Sequence, residues 1–209
     1  MANEFDYVIA RSGSKGDTDG DRYCGIERII GSTHDDTLTG NGFLYGNDGN
    51  GTFMGTAGKT TYVCDAGFDT VDYSGSGSSV TVNLFTTIGS GDAQGDRYYG
   101  IERLIGYDQG DVITGNGNLY GNGGGDMFNE GAGNSIYVGG AGDDTYVFAD
   151  NSGTDRIWDF GAGGDADVID LSGVTAIEDY TDLIDNHASN SGNNVTITDG
   201  ANMITIMNT

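Results

Sequence analysis

The sequence predicts an all-β chain wound as a parallel β-helix, and three features carry that prediction. Residues 121–147 read GNGGGDMFN, EGAGNSIYV and GGAGDDTYV, three nine-residue units laid head to tail. Each approaches the pattern G-G-x-G-x-D-x-U-x, with U a large apolar residue. A larger duplication precedes them: residues 20–31 (GDRYCGIERIIG) and 95–106 (GDRYYGIERLIG) agree at ten of twelve positions, at an offset of 75 residues. Glycine fills 39 of 209 positions while proline is absent. That combination excludes collagen and polyproline linkers and leaves tight turns between short strands.

The spelling of the unit has a physical reason. Glycine at positions 1, 2 and 4 lets the backbone turn through dihedrals that cost other residues. Aspartate at position 6 supplies a hard oxygen ligand, and turn carbonyls supply more, a donor set that suits calcium. Positions 7–9 form a short strand whose central side chain (Phe128, Tyr137 or Tyr146) points inward. Two units make one turn of the coil, so equivalent loops recur about every 18 residues, the separation of Asp126 and Asp144.

In chain order, Phe5–Ile9 alternates as a strand and the loop 13–20 carries Asp17 and Asp19. The segment GIERIIG reads as extended. Worn nonapeptides follow: residues 31–39 keep Asp36 at position 6, Gly51 and Thr60 replace it in the next two, and residues 64–72 recover it with Asp69. The second copy opens with the alternating segment VTVNL (80–84) and a loop holding Asp92 and Asp96. Asp111 comes next, then the six-residue unit GNGNLY (115–120) and the three organising nonapeptides. The short unit sets the register: Asp111, Asp126 and Asp144 fall on one side of the coil, and Ser135 marks a metal-poor side. Copy one is expected to share the asymmetry through Asp36, Gly51 and Asp69. Beyond Val147, Asp155 sits in a repeat-like context, and Asp159, Asp165, Asp167 and Asp170 form a further candidate site. Ile157, Phe160, Ile169 and Leu171 continue the core, and Trp158 reads as a capping aromatic.

The composition then changes. Ile177, Tyr180 and Ile184 share one face at helical spacing, with Leu183 beside them. Val195 and Ile197, a turn at Asp199-Gly200, then Ile204 and Ile206 read as a hairpin. Helix and hairpin are expected to cover the open end of the coil, whereas the first strand has no evident cap. Three parts result: residues 1–75, a degenerate first module; 76–174, a second module with intact calcium loops; and 175–209, the helix–hairpin cap.

Charge narrows the partners. The formal net charge is −24, from 32 acidic and 8 basic residues, so the chain repels itself unless cations neutralise its loops. That balance argues against nucleic acid and anionic membranes. No apolar run is long enough to span a bilayer, and the N-terminus lacks the features of a secretory signal peptide. Cys24 and Cys64 are too few for a disulfide framework; a bond between them and two free thiols both fit. His34 and His187 have no pattern of a zinc or nucleophilic site. Glu27 and Glu102 read as partners of Arg28 and Arg103 rather than as a carboxylate pair for glycoside chemistry.

On GNGGGDMFN, GGAGDDTYV, the leader GDAQGDRYYGIERLIG and the exit GTDRIWDFGAGGDADVIDLSGV, the chain resembles the calcium-binding repeat modules of bacterial repeats-in-toxin (haemolysin-type) proteins. The resemblance implies a parallel β-roll that folds on meeting extracellular calcium. It also implies type I export directed by a C-terminal signal, which residues 175–209 would hold. The metal ligands expected are Asp36, Asp69, Asp92, Asp96, Asp111, Asp126, Asp144, Asp155, Asp165, Asp167 and Asp170, binding several Ca2+ ions. The expected role is that of a secreted structural or self-assembling protein, not an enzyme. The alternatives are a carbohydrate-binding or adhesion module, whose Tyr23, Tyr98, Tyr99 and Tyr107 would face a cell-surface polysaccharide, and an accessory module of a secreted polysaccharide-modifying or proteolytic enzyme.

Overall fold

The computed structural model describes residues 7–9 (backbone only), 27–162, 165–200 and 202–207. The predicted loop with Asp17 and Asp19, the leader residues 20–26, Tyr23 and Cys24 lie outside the described residues. The architecture is all-β and mostly parallel, with one short helix near the C-terminus. The chain divides into two compact units, Met1–Ile105 and Gly106–Thr209.

In the first unit the strands form two parallel stacks. Tyr7–Ile9, Arg28–Ile30, Gly42–Asn47, Thr60–Cys64 and Arg97–Tyr99 make one. Thr37–Thr39, Thr52–Met54, Thr70–Asp72 and Arg103–Ile105 make the other. Parallel neighbours put the same phase of each strand inward, so side chains align in columns. Leu38, Phe53, Val71 and Leu104 form one buried column, and Leu44, Tyr62 and Tyr98 another. Asn47 closes a turn in the left-handed region, φ 59°, and its side-chain amide donates to Gly31 O at 2.7 Å. Asn122 repeats this in the second unit, with φ 75° and a 2.8 Å bond to Gly106 O.

The second unit is built likewise around the long strands Val112–Gly123 and Met127–Ala141. Ile113, Phe128 and Tyr146 stack through Thr145–Ala149, and Val168–Gly173 continues that side. Leu119, Tyr137 and Ile157 stack through Thr154–Ile157, which pairs with Asn202–Ile206. The predicted hairpin is present: Asn194–Asp199 and Asn202–Ile206 are antiparallel, and Ala188–Ser191 adds a further antiparallel strand.

The helix is shorter than its periodicity predicted. Asp179 caps Tyr180–Asp182, and a wider π turn, Leu183–His187, ends it. Tyr180 is 77% exposed and Ile184 is also exposed; of the expected apolar face Ile177 alone lines a cavity with Val174, Ile197 and Ile204, so most of it covers no core. Trp158, expected as a capping aromatic, is exposed too. Ile157 is buried, whereas Phe160, Ile169 and Leu171 are half-buried. Cys64 is a free, buried thiol.

Candidate metal centre

The position-6 aspartates point inward and are tied to the turn before them. Asp111 N–H donates to Asp126 Oδ1 at 2.7 Å, Asp126 N–H to Asp144 Oδ1 at 2.8 Å, and Asp144 N–H to Asp167 Oδ1 at 2.9 Å. The spacing therefore brings Asp111, Asp126, Asp144 and Asp167 onto one ladder. Each carboxylate satisfies a backbone donor with one oxygen and keeps the other for the loop.

What the second oxygen meets differs along the chain. Asp36 Oδ2 accepts Ser32 N–H at 2.5 Å, and Asp111 Oδ2 accepts Tyr107 N–H at 2.6 Å. By contrast, Asp126 Oδ2 and Asp144 Oδ2 are buried with no hydrogen-bond partner. They lie in cradles that only glycine leaves open. A Cβ on Gly121 would overlap Asp126 Oδ2 and stand 2.6 Å from the Gly139 carbonyl oxygen. A Cβ on Gly139 would overlap Asp144 Oδ2 and reach the unpartnered Tyr146 hydroxyl. Burial, reinforced by Asp144 and Asp111, pushes the Asp126 carboxyl up to about 8. Burial and then the Asp167, Asp159 and Asp165 charges push Asp144 up to about 6. A buried carboxylate oxygen without a donor, in a cradle that a backbone carbonyl oxygen also borders, fits a hard cation.

The remaining candidates are placed less uniformly. Asp165 Oδ2 accepts Gly142 N–H at 2.9 Å, and Asp159 accepts Gly139 and Gly140 N–H, so both gather at the Asp144 loop. Asp170 turns instead to Ser172, whose hydroxyl and then N–H hold its carboxyl below the usual range. Asp69 Oδ1 accepts Gly51 N–H at 2.6 Å, and Asp92 lies in the short 3-10 turn Gly91–Ala93. Among the described residues, no three carboxylate, imidazole or thiol groups converge closely enough to hold a metal alone. Any ion here would draw on backbone carbonyls as well as aspartate.

Asp96 has a different setting, which spacing could not show. Its Oδ1 accepts Thr60 N–H at 2.7 Å, and its Oδ2 accepts the Tyr73 hydroxyl at 2.6 Å and the Tyr62 hydroxyl at 3.4 Å. Tyr73 and Tyr98 share a further bond of 2.6 Å. The carboxylate is thus satisfied by protein hydroxyls. Tyr73→Phe is expected to lower stability by about 1–3 kcal/mol, because a buried acceptor loses its donor; urea melts at fixed calcium would measure it.

The GIER arginines stack on rings: Arg28 lies 4.9 Å from the Tyr45 ring centre, and Arg103 the same distance from Phe68. Glu102 accepts Asp69 N–H at 2.8 Å. His187 lies on Thr198 O and 3.5 Å from Asp182, while His34 lies in an exposed loop. Gly121→Ala fills the Asp126 cradle, so it is expected to weaken calcium binding and to cost about 1–3 kcal/mol through overpacking. A calcium isotherm together with a melt would check both.

No family model matches the chain, and no curated protein matches it. Among solved structures it is similar to the extracellular lipase LipA from Serratia marcescens. The identity is 18% and the TM-score 0.33, over 96% of this chain and 40% of the lipase chain. The chain thus spans less than half of that enzyme's length, and a likeness this slight carries no inference about its chemistry.

Proposed function

We propose that this chain is a secreted calcium-binding β-roll of two duplicated modules, with a structural or assembly role. One observation carries the reading: Asp126 and Asp144 each bury a carboxylate oxygen without a donor, in a glycine cradle. A cation resolves that arrangement by supplying the positive charge that lets both buried carboxyls ionise and act as ligands. Binding of this kind is coupled to folding, because the loops repel one another until the ion joins them. The acidic exterior gives calcium a second use, bridging neighbouring molecules that otherwise repel.

A calcium titration followed by far-UV circular dichroism and sedimentation, with magnesium as control, tests the reading. A disordered-to-β transition at roughly 10⁻⁴–10⁻³ M calcium is expected for an extracellular module, followed by larger particles. A chain already folded and monomeric in chelator would end it.

A second reading, glycan binding, has its own support. Arg97 and Tyr99 in the first unit, and Arg156 and Trp158 in the second, are exposed arginine–aromatic pairs that flank the inward Tyr98 and Ile157. Tyr99 is 54% and Trp158 45% exposed. Arg156 borders a cleft of about 240 Å³ with Asn118, Asn134 and Thr154 and no carboxylate. Aromatic faces and amides of this kind suit sugars. Trp158 is the single tryptophan, so its fluorescence would report a bound oligosaccharide directly.

A further inference from the structure

The duplication supplies an internal comparison. At the 75-residue offset, Thr60 and Tyr62 correspond to Ser135 and Tyr137. The same backbone bond recurs: Ser135 N–H donates to Asp155 Oδ1 at 2.8 Å, as Thr60 N–H does to Asp96 Oδ1. Asp155 takes the place of Asp96, since Tyr137 pairs with Ile157 as Tyr62 pairs with Tyr98.

Two residues that complete the first arrangement are changed in the second. Tyr73, whose hydroxyl satisfies Asp96, corresponds to Phe148. Gly55, where a Cβ would overlap the Tyr73 ring, corresponds to Glu130. The second unit therefore loses a hydroxyl and gains a carboxylate.

The hydrogen bonding records that exchange. Ser135 Oγ, Tyr137 OH and Asp155 Oδ2 are all buried without a well-formed hydrogen bond, in residues 4%, 1% and 0% exposed. The nearest hydroxyls, Ser135 to Tyr137 and Ser152 to Asp155, act on them only weakly against burial. Glu130 is half-buried; it accepts Ala149 N–H through Oε2 at 3.1 Å, and its charge acts on both Asp155 and Tyr137. Phe148 sets its ring edge-on to Tyr137 with centres 5.7 Å apart. Native interiors rarely leave such polar atoms without good hydrogen bonds, and a bound ion is one of the recognised reasons.

We propose that Asp155, Glu130, Ser135 and Tyr137 form a separate divalent-cation site in the second unit. Two carboxylates match a double positive charge, and hydroxyl oxygens complete a hard donor set. The first unit needs no ion at the equivalent place, because the Tyr73 hydroxyl fills it. Repeat context had singled out Asp155 alone; the pattern passes over the other three, since position 6 holds Ser135 and Glu130 replaces the first glycine. None of its four residues belongs to the Asp111–Asp167 ladder, so it stands apart from the calcium reading of that edge.

Equilibrium dialysis with calcium on the full chain tests this, using Glu130→Gln, Asp155→Asn, Asp126→Asn and the double variant Glu130→Gly/Phe148→Tyr. Glu130→Gln is expected to weaken one ion at least about ten-fold, since a charged ligand is lost. Asp155→Asn should remove that ion, and Asp126→Asn should leave it bound. The double variant rebuilds the first unit's arrangement, so it should bind one ion fewer yet melt no lower than the parent. If Glu130→Gln and the double variant both keep the parent's stoichiometry and affinity, the site does not exist. Displacement of the ion by sodium at equal ionic strength would overturn its divalent character. Loss of ions in Asp126→Asn with none lost in the Glu130 and Asp155 variants would overturn this site while sparing the ladder; the converse would spare this site alone. Because Glu130 is half-buried, its variant gives a reading even if Asp155→Asn does not fold.

Discussion

Asp126→Asn is expected to destabilise the calcium-loaded chain and to stabilise the calcium-free one. Asparagine keeps an Oδ1 to accept the Asp111 N–H. Its amide then occupies the cradle that Asp126 Oδ2 fills and the Gly139 carbonyl oxygen borders, which places a donor on the side of an acceptor. Without metal and above about pH 8, where Asp126 is ionised, the substitution removes an unpaired buried charge, a gain of about 1–3 kcal/mol. With metal, it removes an ionic ligand and leaves the ion's charge uncompensated, a loss on the order of 3 kcal/mol. Paired urea melts in calcium and in chelator would show the reversal. Equal destabilisation in both would mean that the protein alone holds this carboxylate, and the calcium reading of the ladder would fail.

Acid is expected to substitute for calcium. Asp126 and Asp144 have folded values of about 8 and about 6, against an ordinary value of 3.8. Both are raised, so between those limits the folded chain holds more protons than the unfolded one. Their contribution is therefore fully present below about pH 4 and is lost as pH rises through 6 and then 8. Metal-depleted protein should gain stability on acidification across that window, by up to about 1.4 kcal/mol per pH unit for each carboxylate. In calcium the slope should reverse, because protons then compete with the ion for the same oxygens. Denaturant melts across the range, with and without calcium, would show two crossing curves. Parallel curves would mean that no ion contacts these residues.

Spacing made the ladder legible. Asp111, Asp126 and Asp144 could be assigned to one side from steps of 15 and 18 residues, and their hydrogen bonds follow that order. The inward columns were equally readable, because the residue two places after each aspartate is apolar or aromatic. Asp96 was not readable as a tyrosine-bound group. Its partners Tyr62 and Tyr73 lie 34 and 23 residues away, and parallel pairing alone brings them together. The helix misled for a related reason: periodicity locates an apolar face but does not say what covers it, and Tyr180 and Ile184 remain exposed. Glu130 stood at a glycine position of the repeat, and only the comparison with Gly55 and Tyr73 gives that departure a meaning.

The stepwise pairing within each unit has a kinetic consequence. Ile113 pairs with Phe128, and Phe128 with Tyr146, so each strand finds its neighbour one turn further along the chain. A new turn needs only a short loop closure and a finished template beside it. Growth of this kind proceeds like a zipper from whichever end is ordered first, and shortening the chain removes stability turn by turn rather than all at once. Each completed turn is thus the template that holds the next in place, and order once started advances along the chain in one direction.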